Sequence, residues 1–112
     1  MARQKQKRSS RELELIAKEL EQAKVEYELD PTQVSRLVLV IAQQKYAKQA
    51  STEEYEARMN SMTDALKSTD DRFERKSLNE KMKRLDENHD MIMSKLEGDI
   101  AVTGKMLSKL VH

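Results

Sequence analysis

The chain has 112 residues, the size of a single domain, of which 38% are hydrophobic and 37% are charged. These fractions exclude a thick hydrophobic core and favour narrow apolar stripes along charged helices. There is no cysteine, which excludes disulfides, thiolate metal sites and cysteine nucleophiles. The sequence also has no apolar run long enough to cross a bilayer, so we expect an intracellular protein, cytoplasmic or nuclear.

The net charge is only +1, but positive and negative charges are separated along the chain. Consecutive segments alternate in sign: +5 for residues 1–11, −5 for 12–30, +3 for 31–49, −4 for 50–71 and +2 for 72–112. Segments of opposite sign attract one another when the chain folds back on itself. The charge pattern therefore favours antiparallel helical neighbours.

Residues 1–9 are predicted to form a flexible basic tail, because they show no apolar periodicity. Five cations in and just after this tail are candidates for contact with nucleic acid or another anion: Arg3, Lys5, Lys7, Arg8 and Arg11. Such cations bind phosphate in a salt-sensitive way without reading bases. A tail that only keeps the protein in solution explains the same residues, so nucleic acid, membrane, protein or no partner all stay open.

Residues 10–67 are predicted to form a helical hairpin or small bundle of short helices. The first helix, A, has one apolar seam with spacings of three and four: Leu13, Ile16, Leu20, Ala23 and Tyr27. Asp30-Pro31 is expected to end it and to open helix B, with Asp30 as the N-cap. Segment 37–41 resembles a strand in composition, but no second strand is available to pair with it, so we expect a helix buried on more than one side.

A further break is predicted at Ala50-Ser51, where Ser51 and Glu54 form a capping pattern. Helix C would then start near Thr52. Its apolar seam comprises Tyr55, Met59, Met62 and Leu66. Around Ser68 and Asp71 the pattern allows either a cap for a fourth helix or a helix that continues.

Residues 68–112 are predicted to form a long coiled-coil helix, D, weakened near Gly98 and Gly104 because each glycine costs about 1 kcal/mol against alanine. Its heptad seam is the candidate interface with a second copy or another partner: Leu78, Met82, Leu85, His89, Ile92 and Leu96. His89 is interpreted as a polar seam residue that sets register or oligomer state, with a pH switch as the alternative.

Within helix D, one stretch resembles an EF-hand calcium loop. Oxygen-bearing side chains occupy the first, third, fifth and twelfth positions of such a loop: Asp86, Asn88, Asp90 and Glu97. The sixth position, where a sharp turn requires glycine, holds Met91. An ordinary helix with an acidic outer face explains the same residues, and it predicts no metal site.

No catalytic motif is found: there is no glycine-rich phosphate loop, nucleophile elbow or zinc-binding histidine pair. We therefore expect an all-α, non-enzymatic adaptor or structural protein without a cofactor, which binds protein partners through helical surfaces and forms a homodimer. The alternative is a nucleic-acid-associated accessory factor that uses the basic tail. A degenerate calcium binder is the third hypothesis.

Overall fold

A computed structural model describes the backbone of residues 2–111 and the side chains of residues 11–111. It contains three α-helices, α1 at Ala2–Leu29, α2 at Gln33–Ser68 and α3 at Arg72–Val111. The predicted all-α class and the long C-terminal helix are confirmed. Segment 37–41 lies within α2, and none of its side chains is exposed, so the prediction of a helix buried on several sides is confirmed too.

The central helix is α2, and α1 and α3 each pack against it. In the described residues α1 and α3 do not pack against each other. Both outer helices run antiparallel to α2, as the bonds from Gln49 to Glu12 and from Lys48 to Glu97 show. The acidic segment 12–30 therefore lies beside the basic segment 31–49, as the charge pattern predicts.

This arrangement is a thin, elongated layer with extents of 59 × 27 × 18 Å. Its radius of gyration is 18.6 Å, whereas a compact chain of this length has a value of about 13 Å. Its accessible surface is 8892 Å², against about 6,300 Å² for a typical monomer of this mass. Only three apolar side chains among the described residues are buried, namely Ala23, Leu37 and Ala42. The chain thus covers little of its own apolar surface.

The turn between α1 and α2 falls where the sequence predicts it, but the cap is a different residue. The Ser35 N–H donates to Thr32 Oγ1 at 3.0 Å, and the Thr32 N–H donates to Ser35 Oγ at 2.9 Å. These reciprocal bonds satisfy two backbone donors at the helix start, so Thr32 is the N-cap instead of Asp30. The helix consequently begins at Gln33 and Pro31 stays in the turn.

A turn separates α2 from α3. The prediction of a cap that starts a new helix near Ser68 and Asp71 is therefore confirmed, and the alternative of one continuous helix is wrong. Asp71 caps α3 by accepting a hydrogen bond from the Phe73 N–H at 2.9 Å. The guanidinium of Arg75 donates to the carbonyl oxygens of Leu66 and Thr69, at 3.0 and 3.1 Å. One arginine therefore covers acceptors that the end of α2 leaves without helical partners.

The predicted break at Ala50-Ser51 is wrong, because α2 continues through it. The hydroxyl of Thr52 donates to the Lys48 carbonyl at 2.9 Å, one turn earlier in the same helix. It is therefore satisfied inside the helix and does not start a new one. Helix α3 likewise continues through Gly98 and Gly104, and neither glycine has a positive φ. The cost of two glycines is too small to interrupt a helix packed along α2.

Candidate interaction surfaces

The structure describes the basic N-terminal segment only in part. The backbone of residues 2–9 lies within the bounds of α1, whereas the side chains of Arg3, Lys5, Lys7 and Arg8 lie outside the described residues. Arg11 is described, and it is exposed on α1. The tail and its contact with nucleic acid or another anion stay predictions.

The seam predicted for helix A is confirmed as the inner face of α1. All five of its members are buried or half-buried, while the neighbouring Leu15 is 56% exposed. The seam predicted for helix C also lies on the protected side of α2, because its four members are all half-buried. Apolar spacing alone therefore identifies which faces of these helices pack within the chain.

The interface predicted on helix D divides into two groups. Five of its residues are half-buried along the face of α3 that packs on α2: Leu78, Met82, Leu85, His89 and Leu96. The sixth, Ile92, is 47% exposed. The chain thus uses most of this seam for its own packing, and a contact between two chains through it stays a prediction.

After His89 the inner face of α3 departs from the predicted seam. It continues through Met93, Ile100 and Leu107, which the heptad pattern did not select, and through Thr103. From Leu78 to Leu107, eight steps along this face cover 29 residues, about 3.6 residues per step. A heptad advances 3.5 residues per step and drifts around a straight helix by about 20° per heptad. At Ile92 the predicted seam therefore lies one residue away from the packed position, which Met93 occupies, although the two coincide again at Leu96.

A polar cluster joins α2 and α3 in the first half of α3. The rings of Tyr55 and His89 stack with their centroids 3.9 Å apart and an angle of 12° between their planes. The hydroxyl of Tyr55 donates a 2.5 Å hydrogen bond to the carboxylate of Asp86. This bond is the main cause that raises the pKa of Tyr55, followed by desolvation and by the charges of Asp86, Asp90 and Glu56. The cluster therefore connects the second half of α2 to the first half of α3.

Sequence reasoning placed both Tyr55 and His89 on seams but did not pair them. The structure stacks His89 on Tyr55 within one chain, and its predicted role in setting register or oligomer state stays a prediction. The antiparallel turn at residues 69–71 was the missing information, because it decides which positions of α2 and α3 lie opposite each other.

Two further hydrogen bonds involve the second half of α3, and one of them joins it to the first half of α2. The Gln44 amide donates to Thr103 Oγ1 at 3.2 Å, and the Thr103 hydroxyl donates to the Asp99 carbonyl at 2.9 Å. The remaining oxygen of Gln44 is buried and has no hydrogen-bond partner. These contacts lie beyond the region where the heptad seam was expected to hold.

The calcium hypothesis requires residues 86–97 to leave the helix as a loop. They lie instead in the continuous helix α3, and Asp86 accepts a bond from Tyr55. Among the described residues no group of three or more His, Asp or Glu side chains is placed to hold a metal ion. The acidic residues of this stretch are exposed, and two of them, Asp86 and Glu97, also contact side chains of α2.

The second half of α3 carries exposed apolar side chains beside its packed face. We call four of them the apolar row: Ile92, Val102, Met106 and Leu110. Their exposed fractions lie between 42% and 60%, and their spacing places them on one side of the helix. The row runs along about 27 Å of α3 at 1.5 Å per residue.

Comparison of the chain with protein-family models, curated proteins and solved structures gave no match. Within the described part of the chain, no helix combines the length and the apolar character needed to cross a membrane.

Proposed function

We propose that this chain is a non-enzymatic helical adaptor that binds a partner protein through the apolar row on α3. The supporting observation is that Ile92, Val102, Met106 and Leu110 stay exposed on a helix whose inner face is already packed on α2. Apolar side chains aligned over this length favour a partner that covers them.

The partner that fits the row best presents an amphipathic helix. Such a helix can place its own apolar side chains, spaced three and four residues apart, against the apolar row of α3. Lys95 and Asp99 lie on the same side of α3 between Ile92 and Val102, and Lys105 lies beside the row. Charged residues therefore accompany the apolar ones, as is typical of a protein interface. The proposal includes a homodimer and a cytoplasmic or nuclear location.

The row is tested by affinity capture from the native host, carried out with and without nuclease. We expect the double variant Val102→Asp/Met106→Asp to lose proteins that the wild type retains, because two carboxylates cannot be buried without partners. Nuclease treatment should leave the retained proteins unchanged, since the row makes no use of phosphate.

The matched control is Ala101→Asp/Ser108→Asp, an equally acidic change at two exposed positions of α3 away from the row. It should retain the same partners as the wild type. Circular dichroism should show equal helix content in all three proteins. The proposal is rejected if the row variant and the wild type capture the same proteins in equal amounts.

A further inference from the structure

The first half of α3 has an outward face that its packing on α2 leaves free. Six exposed residues follow it at spacings of three and four, and we call them the outward stripe: Phe73, Lys76, Glu80, Arg84, Glu87 and Met91. At about 100° per residue they fall within an arc of about 80°. The packed positions of the same half, such as Leu78 and Leu85, lie on the opposite side of the helix.

Both ends of the outward stripe are apolar. Phe73 is 83% exposed and Met91 is 72% exposed, which makes them the most exposed large apolar side chains of α3. Four charged residues lie between them, and none of the four bonds to another side chain among residues 11–111. The stripe is therefore available in full to a partner.

The outward stripe is complementary to itself when it is read in reverse. In an antiparallel pair of α3 helices centred near Met82, Phe73 of one copy lies opposite Met91 of the other. In the same register Glu80 lies opposite Arg84, and Lys76 lies opposite Glu87. Twofold symmetry repeats each of these contacts, which gives two apolar contacts at the ends and four ion pairs between them.

A parallel pair would place each charge opposite its own copy, and like charges repel. The charge pattern thus distinguishes the two orientations. The end contacts add to the ion pairs, because methionine sulfur packs favourably against aromatic rings.

We infer that two copies of this chain associate through the outward stripe as an antiparallel dimer. The inference deepens the homodimer of the proposed function, and it does not depend on the apolar row. In such a dimer the second halves of α3 point in opposite directions. The two copies of Met106 then lie about 70 Å apart, at 24 residues on either side of the centre. The dimer would be a connector with one partner-binding row at each end.

The first experiment measures dimerisation of the full chain by sedimentation equilibrium, for the wild type and three charge variants. Arg84→Glu places two acids opposite each other at both symmetric positions, and we expect it to weaken the dimer about tenfold or more. Adding Glu80→Arg to that variant restores opposite charges and should restore the dimer. Lys109→Glu, which carries the same change in net charge outside the paired segment, should leave the dimer unchanged.

The second experiment tests the orientation with engineered cysteines, which the native chain lacks. In the antiparallel register Ser77 of one copy lies next to Asn88 of the other, whereas the two copies of Ser77 are about 15 Å apart. A mixture of Ser77→Cys and Asn88→Cys proteins should therefore form a mixed disulfide dimer, and neither protein should do so alone.

Each of three results would overturn the inference. One is a wild type that stays monomeric at every concentration tested. Another is a dimer that Arg84→Glu leaves intact or that the double variant does not restore. The third is a disulfide formed by Ser77→Cys alone, which would show a parallel pair. Capture through the apolar row is scored in a separate assay, so the two proposals can fail independently.

Discussion

The two halves of α3 pack on α2 in the same way but present different surfaces to the outside. Residues 72–91 are fixed by the cluster of Tyr55, His89 and Asp86, and their outward face is charged. Residues 92–111 contain both glycines of the chain, and the apolar row flanks their packed face. The comparison shows that the position of an apolar residue around the axis of α3 decides whether its side chain packs on α2 or stays exposed.

The largest expected effect comes from placing a charge on the packed face. Leu85→Asp puts a carboxylate into the half-buried contact between α3 and α2, and we expect it to lower the free energy of unfolding by about 3 kcal/mol. For a domain of this size the melting temperature should fall by about 10 °C or more. Thermal denaturation followed by circular dichroism measures the change.

Met106→Asp is the matched control for Leu85→Asp, since Met106 lies on the apolar row and is 48% exposed. Its effect on the free energy of unfolding should stay within about 0.5 kcal/mol. Equal losses of stability in the two variants would contradict the division of α3 into a packed face and a free row.

The sequence was sufficient to predict the features that depend on local chemistry. The helical class follows from apolar residues spaced three and four apart, and the turn near Pro31 follows from its missing N–H. The inner face of α1 follows from its short seam, because drift between 3.5 and 3.6 residues per step is negligible over four steps. The structure confirms all three.

The features that were missed depend on where the helices lie relative to one another. Over 29 residues of α3 the difference between 3.5 and 3.6 residues per step turns the seam away from α2, so Met93 and Ile100 were not identified as packed. The outward stripe was missed because heptad reasoning looks for apolar positions. Its signal in the sequence is the order of the charges between Phe73 and Met91, because each charge meets an opposite one when the segment is paired with its own reverse. This order becomes informative only once that face is known to be free.

A smaller effect is expected at the anchored half of α3. Tyr55→Phe removes the hydroxyl that donates to Asp86 and should cost about 1 kcal/mol. The folded pKa of Tyr55 lies above its ordinary value, so the stabilisation from its neutral form is complete below about pH 10. It is lost as the pH rises through the folded pKa. Tyr55→Phe should therefore flatten the alkaline end of the stability profile.

The pKa itself is measured by ultraviolet titration of tyrosinate in the folded chain. Asp86→Asn should lower the pKa of Tyr55, because it removes the carboxylate acceptor and its charge. Tyr46→Phe serves as the control, since Tyr46 lies on α2 and does not contact Asp86 through a hydrogen bond. If the stability of Tyr55→Phe and of the wild type depended on alkaline pH in the same way, the bond from Tyr55 to Asp86 would not contribute to stability as proposed.

The smallest effect is a gain in stability in the second half of α3. A Cβ atom added at Gly98 or Gly104 would meet no other atom within 4 Å, and both backbones are helical. Gly98→Ala should therefore stabilise the protein by up to about 1 kcal/mol, because alanine loses less backbone entropy on folding. Ala101→Gly, the reverse change three residues away, should destabilise it by a similar amount. If Gly98→Ala instead lowered the melting temperature, the second half of α3 would need its glycine for a bend, and the straight apolar row proposed for partner binding would lose its geometric basis.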